Sequence, residues 1–92
     1  MRLLVTSTFE PSVKKMHRQQ KASLDDAVQA IAQNPELGES KVGDLLGVKV
    51  YKFMLQRQPC LLAYRVIVLQ TIKLLMVGPH ENFYRDLKRT DR

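Results

Sequence analysis

An α+β domain is predicted by three features of this 92-residue chain. Apolar residues recur at helical spacing as far as Ile31, and from Val48 onward aliphatic and aromatic residues fill three short runs instead. Between these regimes, residues 34–47 are polar and hold Gly38, Gly43 and Gly47, the composition of a loop that turns more than once. Helices grouped early and strands grouped late imply two helices packed on one face of a small antiparallel sheet, with the opposite face left free. A chain of this length supports a single hydrophobic core, so residues 1–92 are read as one domain.

Leu3–Thr8 is short, apolar and β-branched, and reads as a first strand. Pro11 suits the first turn of a helix, where its missing N–H costs nothing, and Phe9, Val13 and Met16 then line one side with Lys14, Lys15 and Arg18 on the other. Ser23 with Asp26 three residues on has the form of a capping box, and Leu24, Ala27, Val28 and Ile31 follow at the i, i+3, i+4, i+7 spacing. That second helix must stop near Asn34, because Pro35 pushes the residue before it out of helical geometry. Val48–Leu55, Cys60–Val68 and Thr71–Val77 read as an antiparallel meander. Alternation sets Tyr51, Phe53 and Leu55 on one face and Val50, Lys52 and Met54 on the other, with Leu61, Ala63 and Arg65 opposed to Leu62, Tyr64 and Val66. If Tyr64 is core, Arg65 joins Lys52 on the open side. Gly78-Pro79 ends the sheet, and Glu81–Arg89 can form a last short helix whose Phe83 and Leu87 pack at i, i+4.

Charge points to a working surface. Residues 1–40 hold five Lys/Arg and five Asp/Glu while residues 41–92 hold ten and four, so the whole excess of +6 lies in the second half. Such a surface attracts polyanions, nucleic acid above all. No run approaches the eighteen apolar residues of a membrane span, and Met1–Ser7 lacks a signal-peptide core, so a cytoplasmic place is expected. The single Cys60 has no internal disulfide partner, and with His17 and His80 it makes no standard zinc spacing, so no metal or other cofactor is implied. Cys60 reads as a small apolar filler, and His17 as a solvated residue of the first helix.

Several short motifs carry a family resemblance. Gly43-Asp44-Leu45-Leu46-Gly47 followed by Val50-Tyr51-Lys52-Phe53, then Leu61-Leu62-Ala63-Tyr64-Arg65-Val66, then Gly78-Pro79-His80-Glu81-Asn82-Phe83-Tyr84-Arg85 stand in this order. Together with the element order β-α-α-β-β-β, they resemble the RelE/ParE toxins of bacterial type II toxin–antitoxin systems over essentially the whole chain. The resemblance implies a RelE-like fold and a ribosome-dependent endoribonuclease (an mRNA interferase) that inhibits translation. It also implies a cognate antitoxin protein as partner in a toxin–antitoxin hetero-oligomer. Carried over by position, the catalytic set is Lys52, His80 and Tyr84. Leu61 stands where the RNase branch has an arginine and Met54 where it has a second lysine; Arg65, four residues on and on the same strand face, is the candidate substitute. Lys49, Arg57, Arg85 and Lys88 are the expected RNA-binding cations.

Cleaving RNA without a metal requires removing the 2′-OH proton, stabilising an anionic phosphorane and protonating the leaving 5′ oxygen. In this reading His80 serves as acid or base, Lys52 and Arg65 hold the phosphate charge, and Tyr84 stacks on or orients a nucleotide. Each also has a plain structural role: His80 as a cap of the last helix, Tyr84 as a core aromatic with its hydroxyl at the surface, Lys52 and Arg65 as outward charges on a half-buried sheet. Two other functions fit the same residues. One is a ParE-like inhibitor of DNA gyrase acting by protein contact, and the other a non-enzymatic nucleic-acid-binding module supported by charge alone.

Overall fold

The computed structural model describes residues 2–68 and 70–90. The period-two segments pair as their alternation requires: β3 (Lys49–Leu55), β4 (Gln58–Val68) and β5 (Thr71–Pro79) form an antiparallel meander. β1 (Arg2–Val5) joins β5, and the two-residue β2 (Glu39–Ser40) joins β3, giving the order β1-β5-β4-β3-β2. The antiparallel description holds from β2 to β5 and gives way at the far edge. There β1 runs parallel to β5, with Leu3 beside Ile72 and Val5 beside Leu74. Parallel neighbours need a long crossover between them, and everything from the helices to the meander supplies it.

α1 (Phe9–Lys14) and α2 (Arg18–Gln33) cover one face of the sheet. Phe9, Leu24, Ala27 and Ile31 meet Leu62, Tyr64, Ile72 and Leu74 there in the main core, with Val13, Met16, Tyr51 and Phe53 packed at its border. Cys60 is part of this core, as a filler should be. Thr6 fastens the entry to α1: its hydroxyl donates to the Leu75 carbonyl at 2.7 Å and accepts from the Phe9 N–H at 3.0 Å. Thr6→Val keeps the shape and removes both bonds. It is expected to lower stability by about 1 kcal/mol, read as a lower urea midpoint with an unchanged slope.

Two further expectations are corrected. α2 begins five residues before Ser23, at Arg18, where Gln20 Oε1 accepts from the His17 N–H at 3.1 Å. Ser23 lies inside the helix and donates to the Gln19 carbonyl at 3.3 Å. The run Gln19-Gln20-Lys21-Ala22 is made of good helix formers, so the helix extends through it rather than starting at the Ser-x-x-Asp pattern. The end at Gln33, with Asn34 as C-cap before Pro35, is where the proline places it.

The face opposite the helices is not free. α3 (Phe83–Thr90) folds back onto it, and Phe83 and Leu87 bury themselves against Leu61, Ala63, Leu75 and Met76, with Leu45 and Val48 from the loop closing a second core. A bulge makes this possible. Ala63 pairs with Met76 and Tyr64 with Leu74, so Leu75 is the extra residue, and Leu75 and Met76 both turn to the α3 side. No helix among the described residues is long and apolar enough to cross a membrane.

Candidate functional site

The site is built where the second core ends and the cationic edge of the sheet begins. Lys52 stands exposed on β3, opposite Leu61 of β4, and Leu61 is opposite Gly78 of β5. β5 runs out through Pro79 into His80, which is exposed. A turn follows, with Asn82 at φ 60° and the Phe83 N–H donating to the His80 carbonyl at 3.1 Å, and it delivers the chain into α3. Because Phe83 is locked in the second core, the next residue, Tyr84, is held at the rim. Its ring stands edge-on to Phe83 at 5.6 Å and to His80 at 5.8 Å.

Two side chains that the sequence did not mark complete the group. Lys41 and Glu39 come from the edge at β2, and the Lys41 N–H donates to the Val48 carbonyl at 2.9 Å, which fixes the backbone against the loop that leads into β3. The Lys41 ammonium bonds Glu39 Oε1 at 2.8 Å and lies 5.0 Å from the centroid of the Tyr84 ring. The Glu39 carboxyl is held below its usual range by the hydrogen bond from Lys41 first and then by the Lys41 charge; burial opposes them, and the charge of Lys52 adds least. The Lys41 amine is pushed up by the same hydrogen bond, with burial opposing and Tyr84 adding. A lowered acid contributes above its unfolded value and loses that as pH falls through the folded one. A raised amine contributes below its unfolded value and loses that as pH rises through the folded one. The pair is therefore fully charged across the neutral range.

Lys52 is shared by two adjoining hollows. One, of about 260 Å³, has Glu39, Lys41, Tyr51 and Tyr84 in its walls. The other, of about 170 Å³, is more apolar and is walled by Pro59, Cys60, Leu61 and His80. Burial pushes the Cys60 thiol up, so its sulfur is a poor nucleophile here. A wider hollow of about 430 Å³ lies at the β3–β4 turn between Gln20, Gln56, Gln58 and Arg57. It holds no proton-exchanging group, and the chemistry favours the smaller pair around Lys52.

Of the sequence-derived set, the structure brings Lys52, His80 and Tyr84 together and leaves Arg65 apart. Arg65 is four residues beyond Leu61 on β4, roughly 13 Å along the strand, and its guanidinium donates to the Leu46 carbonyl at 3.1 Å. It lies over Gly47, where φ is 91° and a Cβ would sit 2.5 Å from Arg65 Nη1. The loop and the arginine are thus fitted to one another, away from Lys52. Leu61 is buried beneath α3, which explains an aliphatic residue at that point of β4. Met54 is exposed at the far end of β3.

The four expected RNA-binding cations are spread over three elements. Lys49, on the helix-side register of β3, bonds Ser40 Oγ at 2.7 Å and Glu36 at 3.4 Å. Arg57 is in the β3–β4 turn. On α3, Arg85 pairs with Asp86 at 3.5 Å and Lys88 with Asp44 at 4.0 Å.

The model of a family described as ParE-like toxins of type II bacterial toxin–antitoxin systems matches residues 3–88. No curated protein sequence matches the chain. Among solved structures, the crystal structure of the intact E. coli RelBE toxin–antitoxin complex contains a chain similar in fold. It superposes with a TM-score of 0.68 at 18% identity, over 87% of this chain and 96% of that one.

Proposed function

Because this chain belongs to the ParE-like toxin family of type II bacterial toxin–antitoxin systems, we propose that it stops growth by metal-free cleavage of messenger RNA at the ribosome. One observation carries the reading: Lys52, His80 and Tyr84, from β3, the β5–α3 turn and α3, line two hollows that share Lys52. A cation can stabilise the phosphorane and an imidazole can exchange a proton, two of the needs of cleavage by the 2′-hydroxyl, and an aromatic ring beside them gives the nucleotide a surface to rest on. The 2′ oxygen attacks phosphorus as its proton leaves, and the bond to the 5′ oxygen breaks as that oxygen gains a proton. The products are a 2′,3′-cyclic phosphate and a 5′-hydroxyl end. His80 carries out one of the two proton transfers and solvent water in the open groove the other, Lys52 offsets the charge that builds on the phosphorane, and Tyr84 orients the nucleotide.

The partner in this reading is a cognate antitoxin, since the solved relative in fold comes from a toxin–antitoxin complex. An acidic segment of that antitoxin suits a chain of net charge +6.

A second reading, inhibition of DNA gyrase by protein contact, is favoured by a different observation. Leu61, not an arginine, faces Lys52 across the ladder, and Arg65 is engaged with the Leu46 carbonyl instead. Induced expression in cells separates the two. The RNase reading expects protein synthesis to stop within minutes while plasmid supercoiling is unchanged. Loss of supercoiling ahead of any fall in protein synthesis sinks it and leaves the gyrase reading.

A further inference from the structure

We infer that Lys41 is the second phosphate-binding cation of the groove, and that Glu39 is the anion Lys41 holds until an RNA phosphate takes its place. The inference rests on the RNA-directed reading above and concerns residues which that reading does not use.

Three observations lead to it. First, Lys41 is a positioned cation. Its side chain is 22% exposed, its backbone is tied to Val48, and its ammonium lies over the Tyr84 ring on the wall of the hollow that Lys52 also lines. A lysine ordered in this way has already lost most of the freedom that a phosphate contact would otherwise cost. Second, its partner is loosely held. The Glu39 side chain is 70% exposed, on a two-residue edge strand, and no other hydrogen bond of its carboxylate is seen among the described residues. An ion pair of this kind contributes little in water, so an anion that also reaches Lys52 competes well against it. Third, Glu39 lines the same hollow as Lys41, Lys52 and Tyr84. A single carboxylate bonded to one of two cations that share a hollow with an aromatic ring marks where a backbone phosphate entering that hollow would find its charge partner.

The arrangement also accounts for the departures at Leu61 and Met54. The groove has a second cation after all, contributed from the β2 edge of the sheet and not from β4.

The sign of one substitution distinguishes a displaced counter-ion from a structural brace. Binding of a fully 2′-O-methylated RNA hexamer, which lacks the attacking hydroxyl and stays intact, is measured by fluorescence anisotropy across a salt series. Glu39→Gln is expected to bind about two- to fivefold tighter, the size of the surface ion pair removed. Lys41→Met is expected to bind about tenfold weaker, with a salt slope reduced by about 0.7, the share of one lost single-strand phosphate contact. Lys41→Arg should bind as wild type does, and circular dichroism of each variant confirms that it is folded. If Glu39→Gln binds no tighter than wild type, or Lys41→Met keeps the wild-type salt slope, the assignment is overturned. Cleavage of unmodified RNA by the wild-type protein is scored separately. RNA cut normally while Glu39→Gln fails to tighten overturns the Lys41 site alone. Uncut RNA with the expected binding pattern supports the phosphate site and overturns the cleavage.

Discussion

His80→Ala is expected to lower RNA cleavage by about 10²–10⁴-fold, the usual contribution of one acid–base group, while leaving the unfolding midpoint where it was. The imidazole is exposed and meets the Tyr84 ring edge-on, so little packing is lost with it. In cells the variant should be expressed without arresting growth. Tyr84→Phe keeps the ring that Lys41 covers and that meets Phe83, and should retain binding of uncleavable RNA. If His80→Ala arrests cells as wild type does, the imidazole carries no proton in the reaction and the assignment fails.

The largest expected effect on stability belongs to Tyr64. The ring is fully buried in the main core, its hydroxyl donates to the Pro35 carbonyl at 2.6 Å, and the Gly38 N–H donates to it at 2.9 Å. Burial pushes the phenol up, so the hydroxyl keeps the proton it donates. Tyr64→Ala removes a large buried aromatic at a cost of about 3–5 kcal/mol, a large part of the 5–15 kcal/mol that typically holds a domain folded. Tyr64→Phe isolates the hydroxyl. It orphans a buried N–H and a carbonyl at a cost of about 1–3 kcal/mol, and should speed hydrogen exchange at the Gly38 amide. Gly38 is fitted to the same phenol, since a Cβ there would fall 2.5 Å from the hydroxyl oxygen. The segment this contact pins to β4 leads directly into Glu39 and Lys41, so Tyr64→Phe should also loosen the groove. Thermal unfolding of Tyr64→Phe within 0.5 kcal/mol of wild type, about half the smallest cost expected, contradicts this account.

What was legible in the sequence was set by local periodicity. Alternation along β3 and β4 put Lys52 on the face opposite Tyr51 and Tyr64, and the registers bear that out. Pro35 ended α2 where it had to. The start of α2 was misread because Ser-x-x-Asp has the same spacing inside a helix as at its end, and only the tertiary path shows which applies. The covered second face was hidden for another reason. Phe83 and Leu87 announce a packed helix, but the surface that receives them depends on a bulge at Leu75, which no local pattern marks.

Lys41 and Glu39 were illegible for the same kind of reason. Both lie in a polar, glycine-containing stretch with no strand propensity, and they acquire meaning only when Glu39 and Ser40 pair with Val50 and Lys49. That pairing carries Lys41 to a tyrosine 43 residues away in the chain. Arg65 shows the converse. The same-face rule places it correctly on the side of Lys52, but a shared face says nothing about distance along the strand, and its guanidinium donates to the Leu46 carbonyl.

The most direct test of the central claim uses purified protein in a reconstituted translation reaction, with transcript ends mapped and their chemistry determined. The account predicts new breaks in the translated message that carry 5′-hydroxyl and 2′,3′-cyclic phosphate ends and vanish with His80→Ala. Intact messages at protein concentrations that arrest growth would contradict it.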